Sequence, residues 1–194
     1  MKLKKLVSAV TALSVVAALC TSLSGCGEKK SDKYKVGICQ LAQHDALDAA
    51  TQGFKDALKE KLGDKVTFDE QNAAGEPATC TTIVNQFVSG KVDLIFANAT
   101  GALQAAVSAT DSIPIVGTSI TDYATALEMK DWSGKTGINV TGTSDLAPLD
   151  KQAEMFKELL PNAKKVGILY CSGEANSKYQ ATEVAKYLKK LGIE

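Results

Sequence analysis

An α/β fold of parallel sheets sandwiched by helices, built as two lobes of which the second is incomplete, is the architecture this sequence predicts, on three observations. From Tyr34 onward, short β-branched runs alternate with longer stretches in which apolar residues recur every three or four positions. Residues 92–97 are almost continuously apolar, as in a strand covered on both faces. The chain also repeats itself: Lys35-Val36-Gly37-Ile38 returns as Lys165-Val166-Gly167-Ile168, and Leu58-Lys59-Glu60-Lys61-Leu62-Gly63 returns as Leu188-Lys189-Lys190-Leu191-Gly192. The shared glycines are 26 residues apart in the first copy and 25 in the second, so one design is used twice.

Taken in order, residues 36–39 read as the first strand, and Leu47, Ala50, Phe54, Leu58 and Leu62 form the inward stripe of a helix that Gly63 stops. Residues 66–68 are a second strand. Pro77 suits a first helical turn, and Cys80, Ile83, Val84, Phe87 and Val88 face inward on a helix ending near Gly90. After the apolar strand at 92–97, Thr100 is expected to cap a helix holding Leu103, Ala106 and Val107. Residues 113–117 and 137–140 supply two further strands. Pro148 opens a second region, in which Leu149, Ala153, Phe156, Leu159 and Leu160 trace a helix ended by Pro161. The predicted first lobe is therefore 34–145, and the second begins at 146. Gly192-Ile193-Glu194 reads as a helix stop followed by the start of another strand, so the sequence is expected to end mid-lobe, with roughly a hundred residues to follow by ordinary lobe size. The other reading is a one-lobe protein with a docked tail.

Ahead of this fold lies a different kind of segment. Lys2, Lys4 and Lys5 precede an apolar run that closes on Leu23-Ser24-Gly25-Cys26. Residues 1–25 look like the leader of a bacterial lipoprotein precursor, with Cys26 as the lipidated new N-terminus. Two or more acyl chains on Cys26 suffice for stable anchoring, where one is marginal. Residues 26–33 are then a polar linker, and the domain is expected to be extracytoplasmic and lipid-anchored to the cell membrane.

Removing the leader leaves 19 lysines against 22 acidic residues, and the chain contains no arginine. Without arginine or a basic cluster, nucleic-acid binding has no electrostatic footprint, and an anion must be met by main-chain N–H groups, hydroxyls or lysine. His44 is the only histidine, and Cys39, Cys80 and Cys171 lie far apart, so no metal site or cofactor is predicted. An odd count of three leaves at least one free thiol. There is no Gly-x-Ser-x-Gly elbow, phosphate loop or Gly-x-Gly-x-x-Gly after the first strand, so an enzyme is not expected.

Several strings resemble the substrate-binding lipoproteins of bacterial ABC transporters, in the family that includes tryptophan- and tyrosine-type receptors. They are QLAQHDALDAATQGF at 40–54, QNAAGEPAT at 71–79, KVDLIFANATGALQAA at 91–106, IPIVGTSITD at 113–122, NVTGTSDLAPLDKQ at 139–152 and LLPNAKKVGILYCSGEANS at 159–177. Asp45 and Tyr123 depart from that pattern, standing where relatives are expected to carry proline. The resemblance implies a type I periplasmic-binding-protein fold, a small-molecule ligand such as an amino acid, and an ABC permease with its ATPase as partners.

The topology alone points to the same region, because ligands of open parallel sheets sit at the carboxyl ends of strands where the strand order reverses, here between the first and third strands. The candidate ligand-binding residues there are Gln40, His44, Asn98 and Thr100, with Thr118, Thr121, Asp122 and Asp145 after the next strands and Glu174 and Asn176 from the second lobe. A carboxylate suits the hydroxyls and N–H groups near Thr100, and an amine suits Asp122 or Glu174. Each has an alternative. Thr100, Ser144 and Asn176 serve equally as helix caps, Asp122 as a turn organiser, His44 as a cap and Trp132 as a packing residue. The predicted function is solute capture for an ABC importer. A ligand-sensing receptor of the same fold, feeding a kinase or chemotaxis partner, is the alternative.

Overall fold

The computed structural model describes residues 33–194; the leader, Cys26 and the linker up to Asp32 lie outside the described residues. Five parallel strands form one sheet: β1 (Tyr34–Gln40), β2 (Val66–Asn72), β3 (Leu94–Asn98), β4 (Ile115–Ile120) and β5 (Val140–Ser144), in the order β2-β1-β3-β4-β5. The order reverses between β1 and β3, which pair in register with Gln40 opposite Asn98. The helices are α1 (Asp45–Leu62), α2 (Pro77–Ser89), α3 (Thr100–Ala109), the single turn α4 (Tyr123–Ala126), α5 (Leu149–Leu159) and α6 (Ala175–Lys190). No helix among the described residues is long and apolar enough to cross a membrane.

The two faces of the sheet bury separate cores, as doubly covered parallel sheets do. On one face α2 and α3 bring Val84, Phe87, Leu103 and Ala106 against Cys39, Ile95, Ala97 and Ile115. On the other, Phe54, Leu58 and Leu62 of α1 pack on Val36, Ile38 and Phe96, with the Phe54 and Phe96 rings stacked at 3.9 Å. Gly37 is required by the first core. A Cβ there would stand 2.6 Å from the Phe87 ring, so the helix can approach β1 only over a bare glycine.

Three sequence expectations are corrected. The fifth strand starts at Val140 rather than 137, because Gly137 has φ +66°, outside the extended region. Thr100 does not cap α3: Ala99 is the N-cap and Thr100 lies one residue inside, with no capping bond from its hydroxyl. The repeat strand at 165–168 forms no ladder. Its pairing is limited to Val166 N–H donating to Glu194 O (2.7 Å) and Glu194 N–H to Lys164 O (2.9 Å), and Gly167 has nothing over it where Gly37 has Phe87. A strand forms by pairing along its length with a neighbour, and a parallel strand is buried by helices over its faces; here Leu169 is fully exposed, with Ile168 and Tyr170 half-exposed. Residues past 146 nevertheless build a third core of their own, Ala153, Leu188 and Ile193 with Phe156, Val166 and Val184, apart from the five-stranded sheet.

Candidate functional site

At the carboxyl ends of β1 and β3 the sequence puts two amides, Gln40 and Asn98, and α1 carries Asp48 and Thr51 over them. Gln40 is buried with its hydrogen bonds complete: Nε2 donates to Ala42 O (2.9 Å) and to Asp48 Oδ1, and Oε1 accepts from Thr51 Oγ1 (2.7 Å). Asn98 Nδ2 donates to Leu47 O (2.8 Å) and Thr51 Oγ1 (2.9 Å). This network fastens α1 to the strand tips, and Gln40 acts within it as a positioning residue. Thr51 and Asp48 are the side chains of this network that the sequence reading missed: helical spacing marks Thr51 as inward-facing, but nothing in the pattern marks the partners of either.

Two atoms of this cluster differ from the rest. Asn98 Oδ1 and Thr100 Oγ1 are buried and accept or donate no hydrogen bond within the protein. A buried polar atom without a partner costs about 1–3 kcal/mol, and a pair of them flanking Ala99 at one strand-to-helix junction is a concentrated cost. The backbone between them is strained as well. Ala99 has φ 87° and ψ 159°, a region that favours glycine, and its N–H donates to Thr118 O at 3.0 Å. Ala99 offers no side-chain cap, so the first N–H groups of α3 point out of the helix start. That junction is built to meet something polar: donors at a helix N-terminus beside a buried acceptor.

The neighbouring strand tip adds the next group. Thr118 lies inside β4, with Oγ1 3.4 Å from Thr143 Oγ1, and Ser119 beside it has φ 55° where the β4–β5 register slips between Gly117 and Ile120. Thr121 is buried, and its carbonyl accepts from Ser144 Oγ at 2.9 Å. Asp122 caps α4, accepting from Thr125 N–H at 2.7 Å. Tyr123 then spans the gap left by the bulge: its hydroxyl donates to Gly117 O (3.1 Å) and reaches Thr143 O (3.4 Å). Burial pushes its phenol up to about 12. Trp132 stacks in parallel on Tyr123, centroids 6.5 Å apart, so it packs on the protein itself. A cavity of about 450 Å³ lies under this pair, along β5 and lined also by Lys135, Thr136 and Gly142, away from the amide cluster.

The remaining candidates divide. Glu174 is the N-cap residue of α6 without a side-chain capping bond, and Asn176 is half-buried in the first turn. The same helix carries Tyr179, whose phenol is raised first by desolvation and then by the charge of Asp122. Asp122 and the start of α6 therefore face one region. Asp145 is exposed, its N–H donating to Ile120 O at 3.1 Å. His44 is exposed and caps α1, Nδ1 accepting from Ala46 N–H at 3.2 Å. No group of three or more His, Cys, Asp or Glu side chains among the described residues is arranged to hold a metal.

The family model of the ABC transporter substrate binding protein matches residues 35–194. The chain belongs to that family. It is 40% identical, over 209 residues, to the tyrosine-binding protein of Clostridioides difficile strain R20291, covering all of this chain and 59% of that relative. Among solved structures, an ABC domain from Streptococcus pneumonia in complex with L-Trp is 39% identical with a TM-score of 0.76, covering 83% of this chain and 55% of the other. A ligand-free, open substrate-binding protein from Clostridium difficile is 41% identical with a TM-score of 0.63 over the same shares. The chain thus spans a little over half the length of these relatives. The sheet order and the helices on both faces are those of the type I periplasmic-binding-protein fold, as expected from the sequence.

Proposed function

We propose that this protein is the solute receptor of an ABC importer: tethered outside the membrane through Cys26, it captures an α-amino acid and hands it to a permease driven by an ATPase. The observation that carries the ligand class is the pair of unpartnered buried atoms at the β3–α3 junction. Thr100 Oγ1 and the free N–H groups of α3 suit a carboxylate, and Asn98 Oδ1 is an acceptor suited to an ammonium group, so the junction matches a zwitterion. Amino-acid ligands in the names of two relatives agree with that class.

The second lobe is part of this reading. Thr118, Thr121 and Asp122 line the first-lobe side, Glu174 and Asn176 the facing helix start, and Asp145 lies on the crossover between them. His44 and Gln40 hold the frame. At matched coverage, the higher TM-score to the ligand-bound relative than to the open one supports a closed disposition of this part of the chain. Closure shifts an equilibrium between open and closed forms without chemistry.

The test is a thermal scan of the full-length protein against the twenty amino acids, followed by calorimetric titration of any hit and of the matching amine that lacks the carboxylate. An amino acid at a hundredfold excess over its Kd should stabilise by about 2.7 kcal/mol, and the amine should bind at least tenfold more weakly. Equal binding of amine and amino acid would remove the carboxylate from the α3 junction.

A further inference from the structure

The Asn98 amide has a donor end and an acceptor end, and which of them is turned to the β3–α3 junction is decided outside the junction, in β1 and α1. Two main-chain carbonyls anchor the choice, because a carbonyl can only accept. Gln40 Nε2 donates to Ala42 O (2.9 Å) and to the Asp48 carboxylate, so the Gln40 oxygen points the other way, to Thr51. Thr51 Oγ1 has a single proton and gives it to that oxygen at 2.7 Å, which leaves only lone pairs for its other neighbour. That neighbour is Asn98, whose Nδ2 meets Leu47 O at 2.8 Å, Thr51 Oγ1 at 2.9 Å and Gln40 Oε1 at 3.4 Å. All three are acceptors. Turning the amide over would set Oδ1 against each of them and take both Nδ2 protons away from their partners. Gln40, Thr51 and Asn98 are no more than 3% exposed, so solvent cannot supply the missing partners.

We infer that Thr51 is a positioning residue that sets the specificity of the candidate site: it holds the Asn98 amide with its oxygen turned to the junction, so that the site reads an ammonium group and discriminates against the same acid lacking one. The inference rests on the zwitterion reading of that junction and adds to it the reason why an acceptor, not a donor, is offered there. Thr51 acts through Asn98 and does not touch the ligand. A side chain at position 51 that kept the volume but lost the lone pairs would leave Asn98 Nδ2 with Leu47 O and the long contact to Gln40 Oε1. The amide would keep its sense but lose its aim, and the ligand group that suffers is the one on Oδ1, the ammonium. The carboxylate, assigned to Thr100 Oγ1 and the first N–H groups of α3, is held by a different element and should not respond.

The experiment titrates the full-length wild type, Thr51→Val and Thr51→Ser with two probes. One is the amino acid that gives the largest thermal shift; the other is its des-amino acid, which keeps the carboxylate and carries hydrogen in place of the ammonium group. Wild type should prefer the amino acid by at least about tenfold. In Thr51→Val the Kd of the amino acid should weaken by roughly threefold to tenfold while that of the des-amino acid stays within about twofold, and Thr51→Ser, which keeps the hydroxyl, should restore the preference. Equal weakening of both probes would make Thr51 a support of the fold only and overturn the proposal, as would an unchanged preference in Thr51→Val or no preference in wild type. A second measurement needs no ligand: in the isotope-labelled free protein, NOEs from the Asn98 Nδ2 protons should reach the Thr51 methyl group. NOEs to the Thr100 methyl group and none to Thr51 would overturn the inference whatever the protein binds. If no amino acid binds at all, the zwitterion reading fails and takes the proposal with it even when the Thr51 NOEs are present, so the two failures are told apart.

Discussion

Replacing Thr100 with valine separates binding from stability more sharply than any other single change. Valine keeps the shape of the side chain and deletes a hydroxyl that is buried and has no partner in the protein. If that hydroxyl is held for a ligand, the ligand-free protein is relieved of a desolvation penalty of about 1–3 kcal/mol. Urea unfolding of the free Thr100→Val protein should then show a higher midpoint with an unchanged slope. Its Tm should rise by about 2–4 °C for each kcal/mol recovered. Titration with the amino acid identified by the thermal scan should move the other way. A hydrogen bond to a charged group contributes about 1.5–3 kcal/mol, so the Kd should weaken by roughly tenfold to 150-fold. The opposite pattern, a less stable free protein that binds as tightly as wild type, would refute the reasoning: the hydroxyl would then be satisfied within the free protein and irrelevant to the ligand.

Three further outcomes follow from the geometry. Gly142→Ala puts a Cβ 2.0 Å from Gly117 O and 2.2 Å from the Tyr123 hydroxyl; backbone cannot yield there cheaply, and a loss of at least about 3 kcal/mol is expected by denaturant titration. Thr51→Val takes one partner from Gln40 Oε1 and one from Asn98 Nδ2 but leaves each a second contact, so a loss of about 1–2 kcal/mol is expected, with wild-type midpoint stability as the contrary result. Tyr123 is an acid whose folded pKa, about 12, lies above its unfolded value near 10. The unfolded chain therefore loses the proton first, and stability is unaffected below pH 10 and falls as pH rises from 10 towards 12, by at most about 1.4 kcal/mol per unit. Urea midpoints for wild type and Tyr123→Phe across that range should converge as pH rises, and parallel curves would exclude the phenol as the cause.

How much of this was legible in the sequence depends on whether a feature is local. The continuous apolar run gave β3, the three- and four-residue spacing gave α1 and α2, and Pro77 marked a helix start, because each signal lies within one element. The reversal between β1 and β3 followed from their order, so the region around Gln40 and Asn98 could be named. What those amides do could not: their partners, Thr51, Asp48 and Leu47, come from α1 and meet them only when the helix docks. Ala99 is the clearest gap, since no residue type announces an alanine at φ 87°, and the expectation of a Thr100 cap failed for that reason. The displaced β5 and the short α4 share a cause in the β4 bulge at Ser119 and its Tyr123 clasp, both long-range consequences of Gly117 facing Gly142. The repeat at Lys165 was legible as sequence, but a strand exists only through its neighbours, and the described residues give it two main-chain hydrogen bonds, both to Glu194.

The most direct test of an amino-acid clamp is the crystal structure of the full-length protein with its bound solute. The account predicts a carboxylate on Thr100 Oγ1 and the first N–H groups of α3, an ammonium group on Asn98 Oδ1, and a second lobe containing α6 closed over them. A solute bound elsewhere, with Asn98 Oδ1 and Thr100 Oγ1 still unpartnered or filled by water alone, would contradict it.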